Sequence, residues 1–197
     1  MTSKGETTKQ KILADATPVF QIKGFTATTI GDLLAATGMT KGALYFHFPG
    51  KEAIGVEVFR KESATFMDFL DEVLTAETPA ASLDNFFRAA LGKHRDTGFV
   101  GGCFFGNTAL EASDIFPVLS QMVAEVFDAW IEKIQAKIEA AQTLGEIRRD
   151  LPARQLAELV VATIEGGIMQ SRLLKSELPM ANSLSSLRVL LELRLRH

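Results

Sequence analysis

A stretch near the amino terminus, from Thr28 to Lys51, predicts two short helices joined by a tight turn. Thr29 and Thr40 each precede a helical apolar pattern, and a threonine at that position can accept hydrogen bonds from the free backbone amides of a helix start. Gly38 can end the first helix, because glycine adopts the left-handed conformation at little cost. Two such helices, crossing at a steep angle, form a helix-turn-helix motif, whose second helix lies in the major groove of DNA.

The side chains of the predicted second helix suit a DNA surface. Lys41 can reach a guanine edge or a phosphate, and Gly42 and Ala43 are small enough to let the backbone approach the groove floor. Tyr45 and His47 offer ring donors at the far rim, where phosphates are expected. The alternative is a small helical hairpin whose polar residues are only solvated, and the pattern alone leaves both interpretations open.

Three sequence blocks carry a resemblance to a known family. They are Lys-Gly-Phe-Thr-Ala-Thr-Thr-Ile at 23–30, Thr-Lys-Gly-Ala-Leu-Tyr-Phe-His-Phe at 40–48 and Lys-Glu-Ala-Ile at 51–54. Together they make the segment from Lys9 to Phe59 resemble the DNA-binding domain of the TetR family of bacterial transcriptional regulators. The resemblance implies a sequence-specific regulator, usually a repressor. It implies DNA contacts from Thr28, Thr29, Thr40, Lys41, Gly42, Ala43, Tyr45, Phe46, His47 and Lys51.

The remainder of the chain has a helical pattern throughout, without the sustained alternation that is typical of strands. Further helices are predicted at 52–74, 83–96, 102–114, 116–142, 153–176 and 183–196. We therefore predict an all-α fold of about nine helices. Residues 1–50 would form a three-helix DNA-binding domain and residues 51–197 a ligand-binding and dimerisation domain, with the helix of residues 51–76 as connector.

Charge and composition limit the possible partners. Residues 1–60 carry seven Lys or Arg against five Asp or Glu, a net +2, so the whole-chain value of −3 leaves −5 for the rest. So small an excess predicts modest nonspecific DNA affinity and argues against a protein that coats DNA. The single cysteine excludes an internal disulfide, and neither a secretion signal nor a membrane-length apolar run is evident. We expect a cytoplasmic protein that does not bind membranes.

The last two predicted helices are unusually apolar, which predicts self-association. Gly166 and Gly167 lie in mid-helix, where glycine is costly unless another backbone approaches closely. The resemblance implies a homodimer in which these helices form a four-helix bundle; the alternative is burial within the same chain. The residues expected at the dimer interface are Leu156, Val160, Ile164, Gly167, Ile168, Leu187 and Leu191. A two-fold dimer would bind double-stranded DNA at an inverted-repeat operator, with half-sites roughly 34 Å apart.

A site for a small, mostly apolar effector is expected in the larger domain. Aromatic side chains could line a pocket there, or could simply form the core. Polar residues on apolar helices, such as Glu165, would each need a partner if buried. The candidate ligand-binding residues are Phe66, Phe69, Cys103, Asn107, Glu111, Phe127 and Trp130. The helix from Glu52 to Leu74 would act as the lever between effector and DNA.

Two further hypotheses centre on Cys103. A cysteine at a helix start favours the reactive thiolate, so Cys103 could sense an electrophile or oxidant, although a lone cysteine is more often a small buried hydrophobe. An enzyme could pair Cys103 with His94, oriented by Glu111, but their spacing does not require them to meet. No phosphate loop or metal-ligand cluster is evident. We therefore expect no catalysis, no cofactor and no metal.

Overall fold

The computed structural model describes residues 4–195, and all regular secondary structure in that range is helical. The helices are α1 Lys4–Lys23, α2 Ile30–Thr37, α3 Lys41–His47, α4 Lys51–Val73, α5 Pro79–Asp96, α6 Phe104–Ala112, α7 Pro117–Leu144, α8 Ala153–Leu174 and α9 Leu178–Leu190. The predicted all-α fold of about nine helices is confirmed. The outer bounds of the two predicted domains, residues 1 and 197, lie outside the described residues. So does residue 196, the predicted end of the last helix.

The ends of α2 and α3 follow the predicted capping chemistry. Thr29 and Asp32 form a capping box, in which each side chain accepts a hydrogen bond from the other residue's backbone amide. Gly38, with φ of 67°, ends α2 and donates its N–H to the carbonyl of Leu34. Thr40 accepts from the amide of Ala43 at 3.3 Å and so begins α3. These caps fix the two short helices locally, because each satisfies backbone groups that a helix end leaves unpaired.

Two helices begin earlier than the sequence predicts. The predicted starts are residues 83 and 183, whereas α5 begins at Pro79 and α9 begins at Leu178, just before Pro179. Proline is compatible with the first turn of a helix, because the N–H that it lacks would have no partner there. Thr78 supports the early start of α5 by accepting a hydrogen bond from the amide of Ala81 at 3.1 Å.

The chain packs into two compact units. The first unit is the chain up to Thr65 together with Phe104–Val123, and the second is Phe66–Cys103 together with the chain from Ala124 onward. Helices α4 and α7 each contribute residues to both units. The predicted domain boundary after residue 50 stays a prediction, because packing alone groups residues 104–123 with the amino-terminal part of the chain.

The core of the first unit anchors α2 and α3. Leu33 of α2 and Leu44 of α3 are fully buried, and Phe48 follows α3 into the same interior. Burying one such leucine contributes about 1.5–3 kcal/mol, which is enough to fix the orientation of a helix of seven or eight residues. The remaining residues of α3 are therefore free to face outward.

The core of the second unit corrects the predicted dimer interface. The predicted residues Leu156, Val160, Ile164, Ile168, Leu187 and Leu191 are all buried within their own chain. Gly167 is buried too, and a β carbon there would lie 3.2 Å from the Cα of Met180 in α9. The alternative of burial within the same chain is thus the one observed, because α8 packs this stripe against α9. Within residues 4–195, no helix has the length and apolar character needed to cross a membrane.

Candidate nucleic-acid interface and effector region

Helix α3 presents most of its side chains to solvent. Leu44 points into the core, whereas Lys41, Tyr45 and Phe46 are exposed, and the exposed fraction of Phe46 reaches 84%. The Nζ of Lys41 lies 5.9 Å from the centroid of the Tyr45 ring. A β carbon on Gly42 would meet open space, so the backbone itself is accessible there. This surface combines a cation, two aromatic rings and bare backbone, which are groups that contact phosphates and base edges.

The start of α2 adds a polar edge to the same unit. Thr29 is exposed, and its hydroxyl donates to Oδ2 of Asp32 at 2.8 Å. Asp32 also accepts from Nζ of Lys23 at 2.5 Å, and this hydrogen bond, followed by those from Thr29, lowers the pKa of Asp32 to about 2. Asp32 is therefore a carboxylate at any ordinary pH, and it offsets part of the positive charge near the predicted interface.

Two predicted DNA contacts have other roles in the structure. Thr28 has an exposed fraction of only 1%, and its hydroxyl donates to the carbonyl of Gly24 at 2.6 Å. We therefore correct its expected role from a DNA contact to a support of the loop before α2. Lys51 donates from Nζ to the carbonyls of Phe25 at 3.0 Å and Thr26 at 3.2 Å. Its ammonium group holds the same loop, so only its third N–H could reach a phosphate.

The remaining predicted contacts lie around α3. Thr40 is exposed at the start of the helix, Ala43 is half-buried, and His47 is half-buried at its last position. The rings of Phe46 and His47 meet edge to face, with centroids 5.2 Å apart. Eight of the predicted positions thus lie on or beside α2 and α3, whereas Thr28 is buried and Lys51 is hydrogen-bonded to the loop before α2.

Five of the predicted ligand residues lie in the second unit. Phe66 meets Trp130 edge-on with centroids 5.1 Å apart, and Phe127 stacks on Trp130 at 5.9 Å. Phe69 stacks on Phe66 at 6.3 Å, and Cys103 packs against the core of the same unit. Trp130 is almost fully buried. These aromatic contacts form a continuous apolar cluster, which serves a core and a ligand site equally well.

Two buried polar atoms interrupt this apolar interior. Nε1 of Trp130 and Oε1 of Glu165 are buried and have no hydrogen-bond partner among the described residues. Burial raises the pKa of Glu165, and a hydrogen bond with Cys103 partly offsets that effect. Unsatisfied buried polar groups are costly, so such atoms often mark the position of a ligand or a water molecule.

The hydrogen bond of Cys103 bears on the sensor hypothesis. Its thiol is the hydrogen-bond donor to the carboxylate of Glu165. The bond retains the thiol proton, whereas a sensor of electrophiles needs thiolate character. His94, the other residue of the enzyme hypothesis, is half-buried. Burial and the nearby charge of Lys93 lower the pKa of His94 to about 4, so its imidazole is neutral at pH 7.

Asn107 and Glu111 belong to the first unit rather than to the aromatic cluster. Helix α6 begins at Phe104 rather than at the predicted residue 102, so Cys103 directly precedes the helix. Oε2 of Glu111 accepts a hydrogen bond from the backbone amide of Thr26 at 3.1 Å. The structure therefore places Glu111 beside the loop before α2, a contact that the sequence pattern did not indicate.

Comparisons with known proteins agree with this architecture. Residues 12–58 match the family model described as "Bacterial regulatory proteins, tetR family", and residues 79–187 match "Tetracyclin repressor-like, C-terminal domain". The chain is 28% identical over 174 residues to the HTH-type transcriptional repressor DhaR of Mycobacterium sp. (strain GP1), which covers 87% of this chain and 86% of DhaR. It is 24% identical to the HTH-type transcriptional repressor NemR of Escherichia coli (strain K12), with 90% of each chain covered.

A solved structure gives the same result. The crystal structure of a TetR transcriptional regulator from Chloroflexus aurantiacus J-10-FL superposes with a TM-score of 0.88 at 30% identity, covering 97% of both chains. An exposed second helix in an amino-terminal helix-turn-helix and a larger helical unit define a DNA-binding transcriptional regulator. The chain belongs to the TetR family of such regulators.

Proposed function

We propose that this regulator is a repressor that binds an inverted-repeat operator as a homodimer and leaves it when a small, mostly apolar effector binds the second unit. The observation that carries the proposal is the outward face of α3, where Lys41, Tyr45 and Phe46 are exposed around a buried Leu44. A protein with this role acts in the cytoplasm, where bacterial DNA lies.

Each exposed residue of α3 has a role that suits its chemistry. Lys41, at the helix start, donates to a guanine edge or a phosphate, and Tyr45 donates its hydroxyl to a phosphate. Gly42 lets the backbone approach the groove. Phe46 provides an apolar surface for a thymine methyl group. The exposed caps Thr29 and Thr40 place helix amino termini, which carry partial positive charge, near the phosphates.

The proposed dimer uses faces of α8 and α9 other than those predicted from the sequence. Exposed apolar side chains recur along both helices at helical spacing, and a large exposed apolar area marks an interaction surface. The exposed residues are Leu159, Met169 and Leu173 on α8 and Leu178, Val189 and Leu190 on α9. We call this set the exposed apolar face. Its pairing with a second copy would give a two-fold dimer and successive half-sites roughly 34 Å apart.

The unpaired atoms of Trp130 and Glu165 support the proposed effector class. The indole N–H of Trp130 can only donate, so its partner must offer an acceptor such as a carbonyl or hydroxyl oxygen. The surrounding aromatic side chains favour an otherwise apolar molecule. To lower operator occupancy from 99% to 1%, such a molecule must favour the released state by about 5.5 kcal/mol.

Selection of bound sequences from a random DNA pool tests the proposal. The purified protein, near physiological salt, is expected to enrich one inverted repeat. Lys41→Ala and Tyr45→Ala should lose this enrichment, whereas Lys137→Ala, which removes a lysine of α7, should retain it. Failure of the wild-type protein to enrich any sequence would contradict the proposal, as would enrichment of a single unrepeated half-site.

A further inference from the structure

A groove runs between α1 and α4 in the first unit. Its volume is about 530 Å³, which lies within the range of roughly 300–1,000 Å³ typical of small-molecule sites. One wall is the face of α1 that carries Glu6, Lys9, Gln10 and Leu13, and the facing wall comes from residues 52–60 of α4. Every residue that lines the groove belongs to the first unit, so the groove is separate from the aromatic cluster of the second unit.

The two walls give the groove a definite length. The lining parts of α1 and α4, residues 6–13 and 52–60, span about 10 and 12 Å at 1.5 Å per residue. Phe48 lines the end nearest α3. Towards the other end the two helices meet, because the hydroxyl of Thr17 donates to Oε1 of Glu62 at 3.4 Å. The groove therefore suits an elongated molecule of about the same length.

The floor of the groove is apolar. Leu13 and Phe48 are buried, and Ala53 and Val56 of α4 are half-buried beside them. Apolar side chains that line an open groove favour a ligand with a hydrocarbon body, because contact with that body removes apolar surface from water. The floor alone does not select the polar end of such a ligand, which depends on the charges around it.

The charges at the rim favour a cation. Three carboxylates line the groove against two cations, namely Glu6, Glu52 and Glu57 against Lys9 and Arg60. Arg60 forms a salt bridge with Glu57, so these two charges offset each other. The carboxylate of Glu52 has neither a hydrogen bond nor an ion pair within residues 4–195. The remaining excess of negative charge complements a ligand that carries one positive charge.

We propose that this groove is a binding site for an organic ammonium ion with an elongated apolar body. The body lies on the floor beside Leu13 and Val56, and the ammonium group donates hydrogen bonds to the carboxylate of Glu52. Hydrogen bonds between charged groups are the stronger kind, so the head group decides which ligands bind. This site is additional to the proposed effector site and does not depend on the proposed function.

Three probes that share an eight-carbon chain and differ in their head group test the site: octylamine, octanol and octanoate. His47 lines the groove and is one of three histidines in the chain, so proton NMR of the full-length protein can follow its imidazole signal. Near neutral pH, octylamine is expected to shift this signal in a saturable way. It should bind about tenfold more tightly than octanol or octanoate, the lower end of what a hydrogen bond to a charged group contributes.

Matched variants locate the two parts of the ligand. Glu52→Gln removes the charge but keeps the size of the side chain, so it should weaken octylamine binding by about tenfold and leave octanol binding unchanged. Val56→Trp fills the floor and should abolish the shift with all three probes. Ala53→Leu takes its place if circular dichroism shows that Val56→Trp fails to fold. Glu132→Gln neutralises an exposed carboxylate of α7 and should bind octylamine as the wild type does.

Three results would each overturn the proposal. The first is a His47 signal that octylamine does not shift. The second is an affinity for octanol or octanoate equal to that for octylamine, because the rim charges would then not select the ligand. The third is a Glu52→Gln variant that binds octylamine as tightly as the wild type. Since these titrations contain no DNA, failure to select an operator would overturn the proposed function alone.

Discussion

The side chain of Phe46, on α3, is predicted to contact a base of the operator. Phe46 is 84% exposed, so truncating it removes few contacts within the protein. We expect Phe46→Ala to weaken operator binding by about 1–3 kcal/mol, the loss typical of one base contact, with little change in melting temperature. Fluorescence anisotropy with the selected duplex measures the affinity.

A matched control is available for that substitution. Leu110, on α6, has the same exposed fraction of 84% but lies outside the helix-turn-helix. Leu110→Ala should therefore leave operator affinity unchanged. Equal affinities for Phe46→Ala and the wild-type protein would show that the exposed ring contacts no base.

The lowered pKa of His94 predicts how the free energy of unfolding depends on pH. Burial, with a contribution from Lys93, lowers its pKa from the ordinary value of 6.5 to about 4. The unfolded chain therefore binds a proton at higher pH than the folded protein does, so acidification favours unfolding. We expect this residue to cost about 1–2 kcal/mol of stability as the pH falls from 7 to 5.

Urea denaturation at both pH values measures that loss, with His94→Asn as the comparison. The variant lacks the titrating group, so its free energy of unfolding should fall less over the same interval. An equal fall in both proteins would mean that the imidazole titrates normally in the folded state.

At the scale of the helix, the sequence predicts where a helix begins more reliably than which of its faces is buried. The starts of α2 and α3 follow from Thr29 and Thr40, since capping is a contact between residues a few positions apart. The face of α8 that is buried does not follow, because Leu159 and Val160 are adjacent and both apolar, yet Val160 is buried and Leu159 is exposed. Periodicity identifies apolar positions, and packing alone decides which of them form the core.

Contacts between residues far apart in the sequence cannot be predicted from local patterns, for a related reason. Glu111 and Thr26 are 85 residues apart, so no local pattern joins them. The sequence did indicate that Cys103 and Glu165 are polar residues in apolar surroundings, which the structure brings together. It could not indicate that α6 begins only at Phe104, after Cys103, and the effector-binding role of Asn107 and Glu111 stays a prediction.

At the scale of the whole molecule, operator binding should depend on the exposed apolar face of α8 and α9. The exposed fractions of Leu173 and Val189 are 79% and 75%, so neither side chain supports the fold of its own chain. A glutamate at each position would place two like charges on the face, and the two-fold axis doubles them in the dimer. We therefore expect Leu173→Glu combined with Val189→Glu to sediment at the 21.5 kDa of a single chain, whereas the wild type sediments at twice that mass.

The same double variant should lose high-affinity operator binding while α3 remains intact. A single chain contacts one half-site, and the avidity of two linked half-sites, typically a factor of 10² or more, disappears. Leu110→Glu adds the same charge to an equally exposed leucine away from this face, so it should remain dimeric and bind operator normally. A double variant that still sediments as a dimer would assign the interface to another surface, and the exposed apolar face would then need a different partner.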